Sequence, residues 1–273
     1  MKKNGILLVA VILLSTPGLV QAQEGELHGT FDITYLNNYI WRGFDIYEDD
    51  HSAIQPSIDL DLYGTGFGVN ILMSRANGGG YENAEELDVT LHYSNSLFEG
   101  ETYATDYKVG WVYYTFPDEP RSGSTTGQAA DMQEFFAALS LPEICPAGIV
   151  PSYTIVCMWP SEGESSVSEN GGWAHIFGLG YDLTVAGLVP EIPEQVLHLS
   201  LEFVYNDGVA PGPVTTGANV DHDWSHAVLG VSTDFDLGNN LTFTPSAYYQ
   251  ASMNSSVNDE DETWLSLSMK YKF

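Results

Sequence analysis

Positive charge is scarce in this chain. Its 273 residues carry 8 Lys and Arg against 37 Asp and Glu, a formal net charge of -29. A nucleic-acid partner is excluded on that ground, because phosphate contacts are made by Lys and Arg. No convincing helical period of any length appears. Ile6 to Leu14 is an unbroken apolar run, but its span falls well short of the ~20 residues a membrane helix needs. Cysteine is down to Cys145 and Cys157. Neither has a His at a telling spacing, so neither reads as catalytic. Whether they pair in an oxidising compartment stays open. Disorder is a poor fit, because aromatics reach 12% and disordered acidic chains are aromatic-poor.

What is present begins with an export signal. Lys2 and Lys3 form a positive start, Ile6 to Leu14 the apolar stretch, and Val20-Gln21-Ala22 a small-residue cleavage site. Residues 1–22 read as a signal peptide, and 23–273 as the exported domain. No Cys follows the apolar run, so the signal is not of the lipoprotein kind. With no membrane helix in the remainder, the domain is either soluble outside the inner membrane or a barrel.

The period is 2 almost throughout, which is the signal of strands. Twelve segments read apolar on one face and polar or small on the other: 30–42, 54–63, 67–76, 85–94, 103–116, 132–141, 149–159, 173–182, 196–205, 225–235, 241–252 and 263–273. The clearest sets Leu197, Leu199, Leu201, Phe203 and Tyr205 against His198, Ser200 and Glu202. Connections alternate between mostly short ones, such as 64–66, and mostly longer, Gly-rich and acidic ones, such as 117–131. An even strand count, segments of about ten residues and this loop asymmetry describe an all-β fold, a transmembrane antiparallel up-and-down β-barrel of about 12 strands. A secreted sandwich or jelly roll is the alternative, with the same period and shorter strands. Tyr39, Trp41, Trp159, Trp173, Tyr205 and Tyr271 sit at segment ends, as interface girdles do.

The chain ends on a strand, with Leu265, Leu267, Met269, Tyr271 and Phe273 on one face. A barrel must pair its last strand with its first, because lipid cannot satisfy an open edge. Tyr271 and the terminal Phe273 resemble the C-terminal assembly signal of bacterial outer-membrane proteins. That resemblance implies the barrel-assembly machinery and outer-membrane lipids as partners, and an outer-membrane location in a Gram-negative-type bacterium.

Asn37 to Ser74 carries a second resemblance. Tyr39-Ile40-Trp41-Arg42-Gly43, then Ala53-Ile54-Gln55 and Ile58-Asp59, is similar to the pattern of the TorF-like porins, the Gcw_chp-type outer-membrane proteins. Phe44-Asp45-Ile46-Tyr47 departs from that pattern. The resemblance implies a barrel of porin type.

By alternation the inward face holds Asp32, Asp59, Asp61, Asp88, Asp106, Glu134, Glu202 and Asp234, against Arg42, Lys108, Lys270 and Lys272. Asp59, Asp61, Asp88, Asp106, Lys108, Glu202 and Arg42 are the candidates for setting lumen charge. An acidic excess favours cations. Arg42 is expected to pair with Asp59 or Asp61 and pin the first two strands. Arg75 shares parity with the lipid-facing residues.

His198-x-Ser200-x-Glu202 resembles the His-x-Ser pair of outer-membrane lipid A deacylases, since i and i+2 share a face about 6.6–6.8 Å apart. A lipid hydrolase needs that site on the lipid side, and Leu197 to Phe203 take it. Asp221-His222-Asp223-Trp224-Ser225-His226 offers metal-ligand types without a fixed geometry, so no metal or cofactor is assigned. The expected function is passive diffusion of small solutes or ions with a cation preference and no catalysis. The alternatives are a non-conducting structural or adhesive barrel, or a lipid hydrolase built on His198, Ser200 and Glu202.

Overall fold

The structure, a computed structural model, describes residues 26–47, 51–78, 85–117, 131–161, 171–187, 194–210 and 220–273. Residues 1–22, the expected signal peptide, and the acids Glu48, Asp49 and Asp50 lie outside them. Among the described residues no helix is long and apolar enough to cross a membrane. The elements are β1 (His28–Leu36), β2 (Ile40–Trp41), β3 (Phe44–Asp45), β4 (Ala53–Asp61), β5 (Phe67–Ala76), β6 (Glu86–Leu97), β7 (Thr105–Thr115), β8 (Met132–Ser140), β9 (Val150–Pro160), β10 (Gly172–Ala186), β11 (Glu194–Asp207), β12 (His222–Ser232), β13 (Phe235–Gly238), β14 (Leu241–Ser252) and β15 (Glu262–Lys272).

Twelve of these form the wall. Each is antiparallel to its neighbours in the order β1, β4 to β12, β14, β15, and β15 returns to β1. The closing register runs from Thr30 opposite Lys272 to Leu36 opposite Ser266. One step further, Phe273 and Gly29 exchange both backbone bonds at 3.0 Å. Every wall strand therefore has two partners, which is the condition for backbone to cross hydrocarbon.

The pleat sorts side chains as the alternation requires. Phe31, Ile33, Ile71, Leu91, Phe135, Leu139, Leu179 and Leu229 are large, apolar and exposed on the outside. In a soluble protein such a band would be a liability, and around a barrel it is the lipid belt. Aromatics gather at its two edges. Trp111, Trp159, Trp173, Tyr205 and Trp224 sit toward the long-loop end of their strands. Phe67, Tyr93, Tyr107 and Tyr271 sit toward the end where β1 begins and β15 finishes, the periplasmic end in this type of barrel.

The first expected segment, 30–42, is too long. The wall strand ends at Leu36, and the chain then turns into the lumen as a two-stranded hairpin of β2 and β3. Period 2 persists through it because the hairpin is itself β structure, in a second small sheet. Tyr39 and Trp41 are consequently not girdle residues. Tyr39, Phe44, Ile46 and Tyr47 are buried, with Trp41 packed beside them. Apolar side chains entering a polar lumen gain by packing on one another, and here they close over its outer end.

Candidate functional site: a polar lumen behind a filled mouth

The segment 37–47 is a strap across the outer mouth. Its tip is the two-residue turn Arg42-Gly43, with φ of 47° and 95°. Positive φ at both positions is the type I′ signature of tight hairpins. Glycine is required at the second. A Cβ on Gly43 would lie 2.5 Å from His226 Nδ1 and 2.8 Å from Val257.

Polar bonds fasten the strap to both sides of the wall. Arg42 Nη2 donates to Glu134 Oε1 at 2.8 Å, and Nη1 lies 2.6 Å from Oε2, a two-pronged pair on β8. The Tyr114 hydroxyl donates to the same carboxylate at 2.9 Å. Tyr39 donates to Glu86 at 3.2 Å, and the Tyr47 and Ser74 hydroxyls share a bond of 2.9 Å. From the far wall, Gln250 Nε2 donates to the Gly43 carbonyl at 2.9 Å. Between β8 and β14 stand four wall strands on one side and six on the other, so the strap bridges nearly the full lumen.

Apolar packing fills the space around these bonds. Phe44, Ile46 and Tyr47 join Leu36, Val220, Val257 and Trp264 on one side. Val112, Tyr114, Met132, Val156, Met158 and Val209 form a second cluster, and Trp41 touches both. The Trp41 ring meets Tyr114 edge-on at 6.0 Å and carries the Arg42 guanidinium 4.5 Å above it. Gly208 to Ala210, past the end of β11, also tucks inward; Asn206 exchanges two bonds with Val209, at 2.7 and 2.8 Å.

The expected partners of Arg42 are therefore corrected. Asp59 and Asp61 lie near the periplasmic end of β4, and Arg42 hangs from the outer end of the lumen. Alternation gave the parity of Glu134 and hid its role, because the chain reaches it from a loop 92 residues away.

The periplasmic half of the lumen is different in kind. One hollow of about 410 Å³ is lined by Thr34, Ser57, Asp59, Thr244, Ser268 and Lys270, among others. A second, of about 510 Å³, is lined by Ser94, Ser96, Asp106, Lys108 and Thr154 with neighbouring residues. Asp32 accepts from Thr34 at 2.5 Å and from Ser268. Asp106 accepts from Ser96 at 2.6 Å, and Asp234 from Thr244. Small hydroxyls thus orient the carboxylates and leave room between them. His92 fills the bare face of Gly68 and lies 3.6 Å from Asp59. Asp88 stands two residues below Glu86 on β6, and Glu202 midway along β11. At the outer rim, the Tyr249 hydroxyl and the Ser252 amide hold the Asp261 carboxyl below the usual carboxylate range. Arg75 points outward and is 3.3 Å from Glu85.

His198 and Glu202 flank Ser200 on the lumen face of β11. The imidazole Nδ1 lies 2.8 Å from Asp182, an ion-pair geometry on the neighbouring strand. Among the described residues no three His, Cys, Asp or Glu side chains come together as metal ligands. His222 meets Asp207, and His226 turns inward to bond Ser225 at 2.8 Å. Cys145 lies in a periplasmic connection and Cys157 near the outer end of β9, and both are free thiols.

Comparisons with known proteins agree with this architecture. Residues 21–150 match the family model described as "Bacterial protein of unknown function (Gcw_chp)". No curated protein matches the chain. Among solved structures, the chain is similar to the KdgM porin at 10% identity and a TM-score of 0.52, with 89% of this chain and 99% of that one covered. It is similar to the KdgM porin in complex with disordered oligogalacturonate at 8% identity and 0.50, covering 90% and 99%. The NanC porin is similar at 10% and 0.48, covering 89% and 100%. At these identities the likeness is one of fold. The chain is a closed twelve-stranded antiparallel barrel, a fold similar to that of the KdgM porin.

Proposed function

We propose that this barrel lets small solutes diffuse passively across the outer membrane, with cations preferred over anions. The observation that carries the reading is the charge on a hollow wall. Asp32, Asp59, Asp61, Asp106, Asp182 and Glu202 face the lumen against Lys108, Lys270 and Lys272. Low-dielectric walls focus that field, raising the local concentration of cations and lowering that of anions. One structural neighbour is a porin in complex with oligogalacturonate, which is a polyanion. The acidic excess here argues for neutral and cationic solutes instead. The bilayer and the barrel-assembly machinery are its partners in this reading.

Tracer efflux tests it. Liposomes holding the mature chain and loaded with rubidium and chloride tracers should release rubidium first. Release of neither, in a barrel freed of its strap, would favour the structural class. The filled mouth is the one observation that favours that second reading. The hydrolase reading has none, since His198 pairs with Asp182 on the lumen face, away from lipid.

A further inference from the structure

Glu134 has no task in a simple acidic lumen. It lies at the outer end, is 3% exposed, and has its charge cancelled by a residue from a loop. Two other carboxylates, Glu86 and Asp88, stand near the outer end of β6, two strands from Glu134 across β7, and Tyr39 of the same strap donates to Glu86. The strap therefore does two things at once. Its aromatic side chains fill the mouth, and its one cation neutralises Glu134 while its Tyr39 hydroxyl caps Glu86.

From this we infer that segment 37–47 is a built-in plug latched by Arg42 on Glu134, and that lifting it uncovers Glu86, Asp88 and Glu134 as the outer selectivity ring for cations. The inference rests on the porin reading and adds both a closed state and the residues that govern selectivity in the open one.

Three features make the strap a separable part rather than a piece of wall. Its two short strands pair only with each other. Its tip holds Arg42 at φ 47°, a left-handed conformation that is strained for a residue with a Cβ. Its root at Asn37 bonds Leu265 of β15 through backbone and side chain, and beyond that point the bonds to the wall each use a side chain, from Asn38, Tyr39, Arg42, Tyr47 or the wall's Gln250. The wall keeps its own ladder without it, because β1 is paired along its length by β4 and β15.

The ligand chemistry of the ring follows from what occupies it. A guanidinium sits on Glu134 with an indole beneath and a phenol at the side, so the uncovered ring suits organic cations of guanidine or amine type as well as metal cations in transit.

Single-channel recording in KCl tests both halves. The parent should pass a small mean current. Arg42→Ala, and separately a replacement of residues 38–46 by a short Gly-Ser link, should raise it at least threefold. The charge swap Arg42→Glu with Glu134→Arg should return it toward the parent level. In the linked barrel, Glu134→Gln should lower the potassium-to-chloride permeability ratio at least twofold. A parent current equal to that of the linked barrel overturns the plug and leaves the porin reading standing. An unchanged ratio after Glu134→Gln overturns the ring. Silence from a linked barrel that still shows heat-modifiable migration overturns the porin reading and the plug with it.

Discussion

Arg42 and Glu134 are 92 residues apart in sequence and meet at 2.6 and 2.8 Å, both guanidinium prongs on both carboxylate oxygens. Neither side chain reaches much water, with 16% and 3% exposed. Breaking such a pair leaves one buried charge uncompensated, at about 3–5 kcal/mol. Glu134→Ala should therefore unseat the strap before it unfolds the barrel. Trypsin added to the outer face of cells should leave the parent uncut after Arg42 and cut the variant there. Equal protection of that bond in both would show that the pair does not hold the strap.

Gly43 offers a backbone route to the same end. At φ 95°, any side chain is strained, and a Cβ would run into the His226 ring and Val257. Gly43→Val should lift the strap tip and expose Arg42 to trypsin. Gly64, also at positive φ, has nothing within 4 Å of an added Cβ. Gly64→Ala should therefore carry the conformational cost alone and leave the strap protected. Identical digestion patterns for the two variants would count against the packing argument.

The closing seam gives a third test. Phe273 donates to and accepts from Gly29, and its ring stacks on Tyr271 at 6.3 Å. Deleting Phe273 removes two backbone bonds and an outward aromatic at the periplasmic rim. Outer-membrane levels should fall several-fold and degradation should rise. Lys272→Ala, on the inner face, should change them less. Undiminished levels of the Phe273 deletion would remove the terminal residue from the assembly account.

The barrel was legible because lipid imposes a rule at every residue. Phe31, Ile33 and Tyr35 must alternate with Thr30, Asp32 and Thr34, and the sequence has no freedom to disguise it. The same alternation placed Asp59, Asp61, Asp88, Asp106, Lys108 and Glu202 on the lumen side. It failed at Tyr39 to Tyr47, where period 2 continues in a hairpin that leaves the wall. Strand periodicity carries no information on which sheet a strand joins. Asn37-Asn38 and the Arg42-Gly43 pair were the available signals, since a turn of the I′ type favours such residues. The pairing of Arg42 with Glu134 was out of reach, because it depends on where the loop enters the lumen and not on any local pattern.

Lumen and loop charges should differ in weight. Asp59 lines the wall, where low-dielectric surroundings limit screening, with Asp61 exposed at the inner end of the same strand, whereas Asp259, Glu260 and Asp261 stand exposed at the outer rim. Surface charge is screened beyond about 10 Å at 0.1 M salt. Asp59→Asn with Asp61→Asn should reduce cation preference more than neutralising residues 259–262. The opposite ranking would place selectivity at the rim.

The central claim is that the lumen conducts and prefers cations, and the reversal potential across a KCl gradient tests it most directly. The account predicts a potential of the sign set by potassium, large in dilute salt and smaller as both solutions are made concentrated. A potential of the sign set by chloride, or one indifferent to ionic strength, would contradict it.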